Sequence, residues 1–132
     1  ALATQREGQP YISLISFAMS DDLKCLVFST PTETRKYSEI AANRKVALLI
    51  DNRDSQPDSI NKIQGLTITG QARILSTTEE IRTWQTLLTN KHKYLQKFIN
   101  TSTSSLILVD VVHFLYVRNF QEVYQWVPGN NK

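Results

Sequence analysis

About six runs rich in β-branched, aromatic and apolar residues, with only two stretches of helical spacing between them, restrict the fold of this chain more than any other feature. The runs are Tyr11–Met19 (YISLISFAM), Lys24–Ser29, Val46–Ile50 (VALLI), Ile63–Leu75, Leu106–Val117 and Val123–Val127. Glu7-Gly8-Gln9-Pro10 predicts a turn before the first run. Ser20-Asp21-Asp22 separates the first two, which are expected to form a hairpin with a loop longer than two residues. VALLI is continuously apolar and predicts a well-buried strand. Gly65 and Gly70 interrupt the fourth run, where a bulge or a close backbone approach is expected. The fifth alternates in places, with Val111, His113, Leu115 and Val117 against Val112, Phe114 and Tyr116. Asp51–Asn61, containing Pro57, and Thr101–Ser104 are expected to be polar connections.

The helical stretches carry start signals. Thr30 can cap a helix, Pro31 suits its first position, and Glu33 completes a capping box, so the spacing predicts a helix up to Asn43 with Tyr37, Ile40 and Ala41 inward. Ser76-Thr77-Thr78-Glu79-Glu80 offers more than one capping box. Ile81, Trp84, Leu88, Leu95 and Phe98 then recur at roughly helical spacing, which predicts an amphipathic helix through about Ile99. Strands that follow one another in hairpin order are not a βαβ repeat. The expectation is a mainly β fold, an antiparallel barrel or curled sheet with peripheral helices.

A chain of 132 residues suits a single domain spanning 1–132, able to bury roughly 65–70% of its unfolded surface without a disulfide. Cys25 is the only cysteine and lies in an apolar run, which predicts an inert buried thiol and excludes both an intrachain disulfide and a Cys-rich metal site. No apolar run approaches the ~20 residues of a membrane helix. Ala1-Leu2-Ala3-Thr4-Gln5 shows no signal peptide, and the lack of an initiator Met suits a processed or trimmed start; a cytoplasmic protein is expected. The net charge of +3 is scattered, and a nucleic-acid partner is not expected.

Phe28 to Tyr37 carries the main candidate chemistry. An apolar strand runs into a hydroxyl-rich turn (Ser29, Thr30, Thr32, Thr34) that opens a helix bearing adjacent Arg35 and Lys36. Free N–H groups, a planar guanidinium and a compact ammonium together suit a phosphate group. The same residues also fit a solvated helix face with Glu33 and Glu39 as neighbours, and a Glu33 in the first turn would repel phosphate. His92 lies in a Lys-rich surface stretch and His113 in an apolar strand; neither has a partner at metal-ligand spacing, so no metal site is expected. Nucleophile-elbow, Walker and dinucleotide fingerprints are absent. Asp21-Asp22, Asp51 and Asp54 are expected to be solvated turn residues, and Trp84 a helix core residue; Trp126 suits either barrel packing or a ligand border.

The ordered set Leu2-Ala3-Thr4, Gly8-Gln9-Pro10-Tyr11, Val27-Phe28-Ser29-Thr30-Pro31, Thr34-Arg35-Lys36, Asn43-Arg44-Lys45-Val46-Ala47-Leu48-Leu49 and Gly70-Gln71-Ala72 resembles the pyridoxamine 5'-phosphate oxidase-related proteins, from residue 2 to about 75. The resemblance implies a six-stranded antiparallel split β-barrel that forms a homodimer with FMN at the subunit interface. It implies that Arg35 and Lys36 hold the FMN phosphate, with Thr34 as the hydroxyl residue before them. Ser29 and Thr30 match the strand end lining the phosphate and ribityl chain. Ser13, Leu14, Ile15 and Ser16 match the strand whose backbone faces the isoalloxazine ring, and Gln64 or Gly65 falls near a polar ring contact.

The chain departs from the vitamin oxidases themselves. Ser13 stands where they carry a basic residue and Ala18 where they carry Lys, and the longer C-terminal part that completes the vitamin site does not follow. The ending Arg118–Trp126 resembles the last strand of smaller relatives without their glycines. The resemblance thus implies a flavin-dependent oxidoreductase with another substrate and no assignable catalytic acid or base. The alternatives are a non-catalytic flavin carrier or sensor, and a haem-binding split barrel with His92 or His113 as the only candidate ligands.

Overall fold

A computed structural model describes residues 1–55, 60–99, 101–119 and 121–129. Its elements are β1 (Leu2–Arg6), β2 (Gln9–Ser13), β3 (Phe17–Met19), β4 (Cys25–Pro31), α1 (Arg35–Ala42), β5 (Lys45–Asp51), β6 (Gln64–Ile74), α2 (Thr78–Lys91), α3 (Gln96–Ile99), β7 (Ser104–Arg118) and β8 (Glu122–Trp126). The strands form one 8-stranded antiparallel sheet in the order β2-β1-β5-β6-β7-β4-β3, with β8 on β7. The ends of this path, β2 and β3, are consecutive in the chain yet unpaired with each other. The sheet curls round a core without closing, a split β-barrel whose seam is crossed by Leu14–Ser16.

Two differences turn the six expected strands into eight. β1 was not anticipated, because Leu2–Arg6 carries only two apolar residues, Leu2 and Ala3. Tyr11–Met19 is not one strand: β2 pairs with β1, β3 pairs with β4, and the residues between them pair with neither. VALLI is not buried throughout. It alternates, with Val46 and Leu48 in the core and Leu49 44% exposed, because β5 is covered on one face only.

β4 is covered on both faces, which explains its unbroken apolar start. Leu26 and Phe28 join the barrel core with Leu2, Ile40, Leu48 and Ile68. Val27 joins the layer beneath α2 with Ala18, Leu88 and Leu108. β7 is the spine of the sheet, pairing with β6 along its length, with β4 through Asp110 and with β8 from Phe114. Opposite β6 its register slips: Thr69 faces His113 and Gly70 faces Val111, leaving Val112 as the extra residue of a bulge. The bulge exchanges the faces of β7. Ile107, Val109 and Val111 face the core before it, and Phe114 after it. Of the two glycines expected at a bulge or close approach, Gly70 has both, and Gly65 has neither: a Cβ on Gly65 would meet nothing nearer than Leu49 Cδ1 at 4.0 Å.

Both helices differ from expectation at an end. β4 runs through Pro31, so Thr30, Pro31 and Glu33 do not start α1; its cap is Thr34, whose hydroxyl accepts from the Tyr37 N–H at 3.4 Å. α2 is capped by Thr77, whose hydroxyl accepts from the Glu80 N–H and donates to the Glu80 carboxylate; that carboxylate takes the Thr77 hydroxyl and not the Thr77 N–H that a capping box would use. Arg73 of β6 binds the same carboxylate at 3.1 Å, tying this helix to the sheet. α2 ends at Lys91; a 3₁₀ turn over Lys93–Leu95 and α3 follow. The Asp51–Asn61 connection contains a 3₁₀ turn over Arg53–Ser55, and another spans Ile60–Lys62; Pro57 lies outside the described residues.

Candidate functional site

Adjacent residues of β4 point to opposite faces, and this sorts the expected phosphate residues. Thr30 is buried on the core side, and its hydroxyl lies 2.8 Å from that of Thr34. Thr34 in turn caps α1 and donates to the Pro31 carbonyl at 3.0 Å. Both hydroxyls are thus committed to building the helix start. Ser29 is on the other face, where its buried hydroxyl has no partner and borders a cavity of about 90 Å³ with Gln85, Ser104 and Ser105. The structure therefore separates Ser29 from the Thr30–Lys36 group.

With Thr34 as the cap, Arg35 and Lys36 occupy the first two helical positions, whose N–H groups have no intrahelical acceptor. No acidic residue lies in this first turn; Glu33 precedes the cap and is exposed, which removes the repulsion that its expected place would have caused. The Arg35 guanidinium stacks 4.4 Å from the Tyr11 ring centroid, and its Nε donates to Glu39 Oε1 at 3.4 Å. Its terminal nitrogens bond nothing among the described residues, so the fork that binds two phosphate oxygens is free. Lys36 forms no ion pair among the described residues.

Glu39 is not the solvated neighbour on the helix face that the alternative reading expected. It is fully buried, and it accepts from Thr4 Oγ1 at 3.2 Å as well as from Arg35. A carboxylate withdrawn from water needs such partners, and the pair holds Arg35 against β1 and β2. The i, i+4 spacing of Arg35 and Glu39 was visible in the sequence; the burial of Glu39 comes from β1, which was not.

β2 continues the site. Ser13 shares a face with Tyr11, and its hydroxyl is buried with no hydrogen-bond partner. Beyond it the seam begins. Leu14 and Ile15 make no hydrogen bond among the described residues; Leu14 is 87% exposed while Ile15 packs on the core. The Ser16 hydroxyl meets Tyr94 Oη at 2.9 Å. Gln64 is not brought to this group. It begins β6 opposite Arg118, its N–H bonded to Asn52 Oδ1 at 2.7 Å, beside a shallow pocket of about 200 Å³ bordered by Tyr116.

Other candidates resolve into structure. Cys25 Sγ donates to Asp110 Oδ1 at 3.4 Å; burial and that carboxylate push its pKa up to about 11, so a nucleophilic thiolate is scarce at neutral pH. Asp22 accepts from Ser20 Oγ and the Lys24 N–H, which hold it below the usual carboxylate range. Asp51 likewise accepts from the Arg53 N–H. Trp126 stacks on Phe114 with centroids 4.7 Å apart, and Trp84 packs in the layer beneath α2. His92 Nε2 lies 2.8 Å from the Phe17 carbonyl, and His113 Nε2 3.2 Å from Gln125 Oε1. Among the described residues no helix is long and apolar enough to cross a membrane, and no three His, Cys, Asp or Glu side chains gather as metal ligands.

Solved structures share this architecture. A haem-binding protein from Mycobacterium smegmatis superposes with a TM-score of 0.84 at 16% identity, covering 96% of this chain and 51% of that one. A Clostridium acetobutylicum protein related to general stress protein 26, of the pyridoxine phosphate oxidase family, gives 0.72 at 20% identity, covering 96% and 82%. An FAD-binding protein from Mesorhizobium loti gives 0.70 at 14% identity, covering 87% and 81%. This chain thus spans about half the length of the mycobacterial protein. At these identities the likenesses establish the fold. No curated protein matches the sequence. The sequence profile of the pyridoxamine 5'-phosphate oxidase family matches residues 1–118, and with the split barrel and the Thr34-Arg35-Lys36 helix start in place, the chain belongs to that family.

Proposed function

We propose that this protein binds FMN at the barrel seam, as a homodimer, and acts as a flavin-dependent oxidoreductase on a substrate other than pyridoxamine phosphate. The observation that carries this reading is the buried, unpartnered hydroxyl of Ser13, next to Leu14 and Ile15, whose backbone groups are also unpaired. Buried polar groups in a folded protein are nearly always satisfied, so the Ser13 hydroxyl suits a polar ligand edge, and the unpaired backbone of the adjoining link adds accessible donors and acceptors beside it. The free Arg35 fork, the Lys36 ammonium and the first-turn N–H groups of α1 would hold the phosphate. Bound flavin would supply the electron transfer; these residues would position and desolvate it.

Ala18 supports the exclusion of the vitamin reaction. It is 1% exposed, beneath α2, and offers no group to a substrate. The haem-binding neighbour keeps haem as a second reading, but both imidazole Nε2 atoms already have protein partners. The dimer is supported by the part of the sheet's outer face that lies away from α2. Ile12 is 70% exposed there, Leu49 44% and Val123 55%, an apolar surface of the kind that protein interfaces bury.

Titrating the purified chain with FMN, followed by fluorescence quenching and the visible spectrum, tests the reading. A flavin band with tight binding is expected, and Lys36→Ala should weaken binding by about 1–2 kcal/mol. A Soret band in place of a flavin band would favour haem, and no chromophore after reconstitution with either would end the cofactor reading. Leu49→Lys should shift the sedimentation of the chain from dimer to monomer; a wild-type chain that sediments as a monomer contradicts the dimer.

A further inference from the structure

The link that crosses the seam has no strand to hold it. Leu14, Ile15 and Ser16 lie between β2 and β3, and the ladders on either side stop at Ser13 and Phe17. Its far end is gripped by one short stretch of chain where α2 terminates. His92 is the C-cap of α2, its N–H bonded to the Leu88 carbonyl. Its Nε2 lies 2.8 Å from the Phe17 carbonyl, which can only accept, so Nε2 carries the proton. The backbone then tightens into the 3₁₀ turn Lys93–Leu95, which brings the Tyr94 hydroxyl 2.9 Å from that of Ser16. Tyr94 remains 71% exposed, so this contact is not a by-product of core packing. The His92 and Tyr94 rings meet edge to face at 5.8 Å, and the Lys91 ammonium stands 4.9 Å from the Phe17 ring centroid.

We propose that Lys91, His92 and Tyr94 form a clasp that sets the conformation of the Leu14–Ser16 link, and that through it they act as positioning residues for the ligand held there. The second half of this statement rests on the FMN reading above. Two hydrogen bonds and a cation over a ring fix Ser16 and Phe17 from outside the sheet, while Ile15 is fixed from inside by the core. The polar backbone of Leu14 and Ile15 is thereby held in one geometry while it stays unpaired. A pre-ordered link binds without the entropic cost of ordering itself, so loosening the clasp should weaken a ligand that the clasp never touches.

Tyr94→Phe and His92→Ala each remove one hydrogen bond, and His92→Gln restores a donor for the Phe17 carbonyl. Hydrogen–deuterium exchange of the full chain is the first measurement. In Tyr94→Phe and His92→Ala, exchange of peptides covering β3, whose short ladder with β4 begins at the gripped Phe17, is expected to quicken about tenfold, with β6 and β7 unchanged and His92→Gln close to wild type. FMN titration is the second. The same two variants should bind about five- to tenfold more weakly and show an altered visible circular dichroism of the bound flavin, again restored in His92→Gln. Wild-type exchange in a folded Tyr94→Phe chain would overturn the clasp. Faster exchange with unchanged affinity and spectrum would overturn its positioning role. A wild-type chain that takes up no FMN would remove the flavin reading, while the exchange measurement would still decide the clasp.

Discussion

Gly70→Ala is expected to destabilise the protein by about 2–4 kcal/mol, a large effect for one methyl group. A Cβ at this position would stand 2.6 Å from the Asp110 carbonyl oxygen and 2.7 Å from Val109 Cγ1. The carbonyl belongs to the spine strand β7, which is paired on both sides at Asp110, with Cys25 and with Gln71. It cannot rotate away as a side chain could. Relief requires moving β7 away from β6 just where the Val112 bulge sets the faces of both halves of the strand. Urea unfolding should show a lower midpoint at unchanged slope. Gly65→Ala is the internal control, since only Leu49 Cδ1 comes within 4.0 Å; it should stay within about 0.5 kcal/mol of wild type. Equal stability of the two variants would contradict the close approach at Gly70.

Arg35→Ala should produce the second large effect, and in two observables. Removing the guanidinium leaves Glu39 fully buried with Thr4 as its remaining side-chain partner. Breaking a fully buried ion pair costs about 3–5 kcal/mol; with the Arg35 side chain 50% exposed, about 1–3 kcal/mol is expected here. The proposed phosphate contact should be lost as well, weakening FMN by about 1–3 kcal/mol. The two losses separate in a double-mutant cycle. Made in a Glu39→Gln background, Arg35→Ala should cost clearly less stability, while its effect on FMN should persist. Lys36→Ala, with no ion pair to break among the described residues, should weaken FMN with little change in stability. An Arg35→Ala chain as stable as wild type would mean that Glu39 is satisfied without its cation.

These variants also show what the sequence made legible. The Thr77 and Glu80 helix start is a signal spanning four residues, and the structure contains its cap, Thr77 accepting from the Glu80 N–H, with the Glu80 carboxylate on the Thr77 hydroxyl in place of the Thr77 N–H. The Thr34-Arg35-Lys36 turn was equally visible, but its parts were not. Thr30 looked like a cap because Pro31 and Glu33 follow it at the right spacing; pairing of Thr30 with Ser105 and Pro31 with Ser104 keeps both in β4 and passes the cap to Thr34. Ser29 and Thr30 are neighbours in the chain and lie on opposite faces of a strand that is covered on both. Gly70 was singled out in the sequence, yet the atom that requires it, the Asp110 carbonyl, lies 40 residues away.

By itself, then, the sequence determined the local grammar of this protein: mostly antiparallel strands in hairpin order, two capped helices, a glycine inside the longest early strand, and two adjacent cations at a helix start. Those features depend on residues a few positions apart, where propensity and capping act. Tertiary pairing alone decided the rest. It broke Tyr11–Met19 at Leu14, because the two halves pair with different strands. It reversed the alternation of β7 at Val112, and it buried Glu39 under β1 to hold Arg35. The seam, the clasp at Tyr94 and the supported cation all arise from contacts between distant segments, whose strength depends on burial that no local pattern states.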